Sequence, residues 1–349
     1  MIRTMVLGSV ALLALSACDN NGGGGGGAGV RDQIRAVGSS TVYPFATAVA
    51  EQFVNKNAGT KSPIIESTGT GAGIKLFCEG VGASFPDIAN ASRKMKKSEY
   101  EGCAKNKVTD IVEIQIGLDG IAFAEGKTGP KLTLTARDVY AALAANPFGK
   151  PQTAKTWKDV NPALPAVAIK VYGPPSTSGT RDALAELILT KGCESDAAMK
   201  ALKDTDKDAH KKACTTIRED GAFVDAGEND NLIVQKLVAD PQALGIFGYA
   251  SLEENGDKLI GNPINGVMPT YATISDFTYP GARPLFIYVK SAHLKAIKGL
   301  QAFVGEFGNA WGPDGYLKQR GMVIAPADVR AASAQQLKDM KPLDPTTLK

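Results

Sequence analysis

Three short stretches of small hydroxyl and glycine residues carry the chemistry most open to reading: Gly38-Ser39-Ser40-Thr41, Ser67-Thr68-Gly69-Thr70-Gly71-Ala72-Gly73 and Ser176-Thr177-Ser178-Gly179-Thr180. Each follows an apolar run and precedes an amphipathic one, so backbone N–H donors and the positive end of a helix dipole meet side-chain hydroxyls. That combination holds oxyanions. A single such loop is ordinarily a helix cap. Three in one chain, two of them rich enough in glycine for close backbone approach, point to a shared ligand. Arg93 follows Ala91-Ser92, and Arg181 directly follows Thr180. A guanidinium is always charged, and its planar fork matches two oxygens of a phosphate.

Other chemistries find little support. Gly69-Thr70-Gly71-Ala72-Gly73 fits neither the dinucleotide fingerprint nor the P-loop, since no Gly-Lys-Ser or Gly-Lys-Thr follows. There is no G-x-S-x-G elbow, and the only imidazoles are His210 and His293, in lysine-containing segments that read as exposed helices. Two His and scattered Cys make a zinc site improbable, and no cofactor is implied. Hydrolysis would need a metal cluster or an activated nucleophile, so the chain reads as a binding protein and not an enzyme. With 39 Lys plus Arg against 36 Asp plus Glu the formal net charge is +3, without a basic block suited to nucleic acid.

The elements that must position these loops alternate along the chain. Strands are expected at Ile34 to Val37, Ile64 to Glu66, Ile111 to Ile116, Gly120 to Ala124, Ala168 to Tyr172, Gly245 to Tyr249 and Pro284 to Val289. Helical spacing marks Pro44 to Phe53, Ile74 to Glu79, a segment capped by Thr135 and running through Ala145, one beginning near Thr180, and Leu294 to Phe307. Alternation of this kind predicts an α/β architecture. At 349 residues and 44% hydrophobic, the chain is long enough for two globular units.

The first segment is an address. Arg3 precedes thirteen mostly apolar residues, Met5 to Ala17, too few for a spanning helix and suited to a signal peptide over residues 1–17. Leu15-Ser16-Ala17-Cys18 looks like a bacterial lipobox, which predicts an exported chain, anchored to a membrane by lipid on Cys18. Residues 18–30 then form a glycine-rich tether. Its eleven residues from Asp19 to Gly29 reach about 36 Å when extended, at roughly 3.3 Å each. The remaining Cys78, Cys103, Cys193 and Cys214 are even in number, so disulfides are the default in an exported protein. The pairs Cys78–Cys103 and Cys193–Cys214 are favoured because each is local; four buried free thiols are the alternative.

Taken together, GSSTVYP at 38–44, TGTGAGIK at 68–75, DIANASRKMK at 87–96, IGLDGIAF at 116–123, LTLTARDVYAAL at 132–143, SGTRDAL at 178–184, ALGIFGYA at 243–250 and RPLFIYVK at 283–290 resemble the periplasmic phosphate-binding proteins of ABC importers. The resemblance implies a type II periplasmic-binding fold: two α/β lobes joined by two crossing segments and closing on ligand. Lobe 1 would take residues 31–115 and 271–349, and lobe 2 residues 116–270. Ser40, Thr41, Thr70 and Arg93 would then face Ser178, Gly179, Thr180 and Arg181 across the cleft. The implied partners are inorganic phosphate and an inner-membrane ABC permease, with the receptor a periplasmic monomer; another oxyanion such as sulfate is the alternative ligand.

Two departures from the best-known branch of that family bear on selectivity. An Asp there stands where this chain has Arg93, and accepts the proton of hydrogen phosphate while repelling sulfate. An Arg there lies four residues before the Ser-Gly-Thr serine, where this chain has Pro174. Arg181 is the expected replacement cation, and Asp182, Glu66 and Asp230 are candidate acceptors of a ligand proton. Asn231 is a further possible cap beside the cleft.

Overall fold

The computed structural model describes residues 31–348 apart from Thr177 and Glu228, so the signal segment, Cys18 and the tether lie outside the described residues. The strands are β1 (Arg35–Gly38), β2 (Ile64–Ser67), β3 (Ile88–Ala91), β4 (Ile111–Gly126), β5 (Val171–Gly173), β6 (Phe223–Asp225), β7 (Leu244–Gly248), β8 (Leu259–Gly261) and β9 (Ala282–Lys290). They form one continuous mixed sheet in the order β2-β1-β3-β9-β4-β7-β5-β6, with β8 on β4.

In one half, β1 runs parallel to β2 and β3. Parallel neighbours need a crossover, supplied here by helices Tyr43–Lys56 and Thr70–Phe77. In the other half, β5 runs parallel to β6 and β7. The sixteen-residue β4 belongs to both halves. Its residues from Ile111 to Gly120 pair with β9, and Ile121 to Ala124 pair with β7, antiparallel in each case. Two strands were expected there. The expected break after Ile116 falls at Gly117, but a strand takes such a residue at a bulge, and the register shifts between Gln115 and Gly117.

The cores follow the same division. One gathers buried residues between Leu118 and Ala282, joined by Val323 and Ala325. The others draw on residues 34–116 and 285–322. Phe303 meets Phe53 and Phe307 edge to face, with ring centroids 5.6 and 5.7 Å apart. Thr135 caps the helix Ala136–Leu143, accepting the Asp138 N–H at 3.1 Å. The helix expected over Leu294 to Phe307 is two, Ser291–Ala296 and Leu300–Ala310, because Gly299 turns the chain at φ 81°.

Neither histidine is a surface residue. His210 and His293 are 7% and 2% exposed, since their helices turn lysines outward and the imidazole face inward. His293 Nδ1 lies 2.6 Å from the Asp87 carboxylate, and its Nε2 accepts the Gly82 N–H at 3.1 Å. Both expected disulfides form. Cys78–Cys103 ties helix Thr70–Phe77 to helix Lys97–Lys105, and Cys193–Cys214 ties the helical run that starts at Gly179 to helix Lys207–Thr215. Among the described residues, no helix is long and apolar enough to cross a membrane.

Candidate functional site

Each hydroxyl-rich loop leaves the carboxyl end of a strand and opens a helix, the place where open α/β sheets bind ligands. β1 ends at Gly38, and Ser39 starts the next turn, accepting the Val42 N–H at its Oγ and the Tyr43 N–H at its carbonyl. After β2, the Thr68 and Gly69 N–H groups both bond the Gly38 carbonyl, which draws the second loop against the first. Gly73 allows helix Thr70–Phe77 to lie directly on β1: a Cβ there would fall 2.8 Å from the Gly38 nitrogen. After β5, Ser178 caps the helix from Gly179, its Oγ accepting the Thr180 N–H at 3.2 Å.

The loop after β1 and the loop after β5 meet across a cleft of about 210 Å³, lined by Ser40, Thr41, Pro44, Phe45, Asp119, Ser178, Gly179, Thr180, Asp230, Gly248, Ala250, Arg320 and Gly321. Gly179 is pressed into the opposing loop, where a Cβ would stand 2.7 Å from the Thr41 nitrogen and 2.8 Å from Ser40 Oγ. Five of the eight expected ligand residues therefore share this cleft: Ser40, Thr41, Ser178, Gly179 and Thr180.

Three are placed differently. Thr70 Oγ1 lies 3.1 Å from Ser92 Oγ and accepts the Ser92 N–H, which fixes the second loop to the chain leaving β3. Arg93 forms a fork on Glu99 at 2.9 and 2.8 Å and reaches Glu186 of the opposite half at 3.3 Å. Arg181 donates to the Pro174 carbonyl at 3.1 Å and stacks 4.5 Å over the Phe223 ring, outside the cleft lining.

Two residues that sequence reasoning passed over tie the loops together: Asp119 in the cleft lining, and Arg283 directly behind it. Arg283 on β9 is 3% exposed and bonds both loops, through Thr41 Oγ1 and, at 3.0 Å, the Gly179 carbonyl. Its Nε and Nη2 also donate to Asp119 Oδ2, each at 3.1 Å. Asp119 and Arg283 are directly opposite on the β4–β9 ladder. Burial raises the Asp119 pKa, and Arg283 only partly offsets that. The available signal was a charge inside an otherwise apolar strand, IGLDGIAF, since buried charges are nearly always paired.

Of the candidate acceptors, Asp230 lines the cleft, receiving the Ser251 hydroxyl at 2.8 Å and the Gly248 N–H at 3.3 Å. Asp182 faces Gly69, and its pKa is raised by burial and then by neighbouring Glu186, against the pull of Arg283 and Arg93. Glu66 pairs with Arg35 away from the cleft lining. Asn231 is exposed, and Asn229 is the residue that caps its helix. Arg320 stands at the mouth, 3.6 Å from Glu51.

A family profile described as a PBP superfamily domain matches residues 24–308. Protein SphX of Synechococcus elongatus is 32% identical over 319 residues, covering 89% of this chain and 83% of that protein. The phosphate-binding protein PstS of Staphylococcus saprophyticus is 32% identical over 305 residues, covering 84% and 81%. A solved structure of a possible phosphate binding protein from Planctomyces limnophilus superposes with a TM-score of 0.66 at 30% identity, covering 88% of this chain and 98% of that one.

Proposed function

We propose a receptor function for this chain, which belongs to the PBP superfamily and, within it, to the phosphate-binding proteins: it captures inorganic phosphate in the cleft and delivers it to an ABC permease. The observation that carries this reading is the convergence of Ser40-Thr41 and Ser178-Gly179-Thr180 on one cleft, with the Arg283 guanidinium between them. Hydroxyls and main-chain amides from two helix starts supply donors, and Arg283 supplies the buried cation that an oxyanion needs. Thr70, Arg93 and Arg181 hold the walls that carry these groups. We place lobe 1 at residues 31–115 and 271–349 and lobe 2 at 116–270; the cores divide nearby, with Ile116 in the core of lobe 1 and Ile274, Tyr279 and Ala282 in the core of lobe 2.

Closure is then ligand-dependent, because an anion satisfies donors from both lobes that would otherwise be buried without partners. The protein acts by binding and not by turnover. It is exported, held at the membrane by lipid on Cys18, and works as a monomer. Calorimetric titration with phosphate, sulfate and arsenate tests the reading. Phosphate should bind at micromolar or lower concentration in a one-to-one complex; no binding in that range would overturn it.

A further inference from the structure

We propose that the base of lobe 1, the end opposite its hydroxyl-rich loops, is a docking face for an anionic phospholipid surface. This rests on the reading of the chain as held at a membrane, and adds which side of the receptor turns toward the bilayer.

Topology decides what gathers at that end. β1, β2 and β3 are parallel, β9 is antiparallel to β3, and β4 is antiparallel to β9, so the amino ends of β1 to β4 and the carboxyl end of β9 lie together. Residues 18–30 join the described chain at Arg31, just before β1 and therefore at the same end. The neighbouring turns are bonded into one surface. The Ser291 N–H reaches the Asp110 carbonyl at 2.9 Å, the Leu343 N–H reaches the Ile111 carbonyl at 2.8 Å, and the Asn106 side chain reaches the Cys78 carbonyl at 2.9 Å.

This surface carries unpaired positive charge. Lys105, Lys107, Lys295, Lys298 and Lys341 are exposed on it, and none forms an ion pair among the described residues. The acids there are fewer or engaged: Asp87 is buried against Arg31 and His293, Asp32 pairs with Lys61, and Glu79, Asp110 and Asp344 remain. The surplus is confined to one lobe. Residues 31–115 and 271–349 carry 21 Lys plus Arg against 15 Asp plus Glu, whereas residues 116–270 carry 17 against 20. An anionic leaflet therefore attracts one lobe and repels the other, and screening by salt leaves only the nearest face to feel it. The loop before β3 is tied from behind, by Lys290 on the Gly80 and Pro86 carbonyls, His293 on the Gly82 N–H and Arg31 on the Phe85 carbonyl. Val81 is left 44% exposed at its tip, an apolar side chain suited to the headgroup boundary.

Each lysine close to an anionic bilayer is worth about fivefold in partitioning. The test uses the mature chain, residues 18–349, with Cys18→Ser so that no acyl group contributes. It is sedimented at low salt with vesicles of phosphatidylcholine, either alone or mixed equally with phosphatidylglycerol. The chain should sediment with the mixed vesicles, stay free of the neutral ones, and be released as salt is raised. Combining Lys105→Gln, Lys107→Gln, Lys295→Gln and Lys298→Gln should lower partitioning by about 10²-fold or more. The combination Lys150→Gln, Lys158→Gln, Lys200→Gln and Lys211→Gln makes the same change of net charge on lobe 2, and should stay within about fivefold of the parent. Phosphate titration should be the same in all three proteins. Equal loss in the two combinations, equal binding to both lipids, or binding to neither overturns the docking face and leaves phosphate capture intact. A parent chain that docks on the mixed vesicles but binds no phosphate overturns the receptor reading alone. Should the first combination fail to fold, its two halves decide: Lys105→Gln with Lys107→Gln, and Lys295→Gln with Lys298→Gln, should each cost about tenfold or more, and two pairs that partition like the parent refute the assignment.

Discussion

At the scale of single residues, the proposed anion site draws its cation from far along the chain. Arg283 and Asp119 are 164 residues apart and bond side by side. Arg283→Ala should weaken phosphate binding by at least about 10²-fold and leave a buried carboxylate unpaired, a loss of roughly 3–5 kcal/mol in apo stability by denaturant titration. Arg181→Ala, in contrast, should cost less than about tenfold in affinity, since that guanidinium bonds Pro174 and covers Phe223. That the loops of Ser40-Thr41 and Ser178 to Thr180 share a cleft was legible because the pattern recurs in one chain, whereas a single one is ordinarily only a helix cap. Arg283 was not, because a charge at the start of an apolar strand does not say which neighbour will face it.

Lys290 gives a pH-dependent expectation. Its Nζ donates to the Gly80 and Pro86 carbonyls at 2.7 and 2.8 Å, and burial pushes its pKa down to about 7, against the pull of Asp87. The unfolded chain therefore binds more protons than the native one above that pH, and stability should rise between about pH 7 and pH 10. Unfolding of Lys290→Met across that range should show a flatter slope; an equal slope would refute the assignment.

At the scale of elements, the helix that begins at Gly179 is positioned from both ends. At its start, Gly179→Ala would drive a methyl into the Thr41 nitrogen and Ser40 Oγ. Phosphate affinity should fall by about tenfold or more by calorimetry, and apo melting should fall as well, since the opposing loop must shift to clear the methyl. At its far end, Cys193–Cys214 closes a 21-residue separation, and replacing both cysteines by serine should cost roughly 3 kcal/mol of stability, as measured by denaturant unfolding. Helix and strand types were readable from periodicity along most of the chain. What periodicity could not show was continuity: β4 passes through Gly117 and Gly120 without ending, and Gly299 ends a helix whose apolar spacing carries on. A glycine in the sequence does not declare whether its neighbours will hold it extended or turn it.

At the scale of the whole molecule, binding and stability are linked. A ligand bound only by the folded state at a hundred times its Kd adds about 2.7 kcal/mol, so phosphate should raise the melting temperature in a concentration-dependent way, and a flat response would count against the cleft. Arg93 and Glu186 form an ion pair between the halves, half-exposed on the glutamate side. Pairs of this kind contribute roughly 0.2–1 kcal/mol and are screened by salt. Glu186→Gln should therefore weaken phosphate by no more than about fivefold, and the difference from wild type should vanish at high salt. The crossing itself is a ribbon of two paired strands, Leu118 to Gly120 of β4 against Ala282 to Pro284 of β9, with Val323 bonded to Leu118 at its edge. Asp119 and Arg283 sit on that ribbon. If the proposed lobes turn about it, this pair would shift least, and an incoming anion would meet it before the two hydroxyl-bearing loops swing down, so that recognition would come before enclosure.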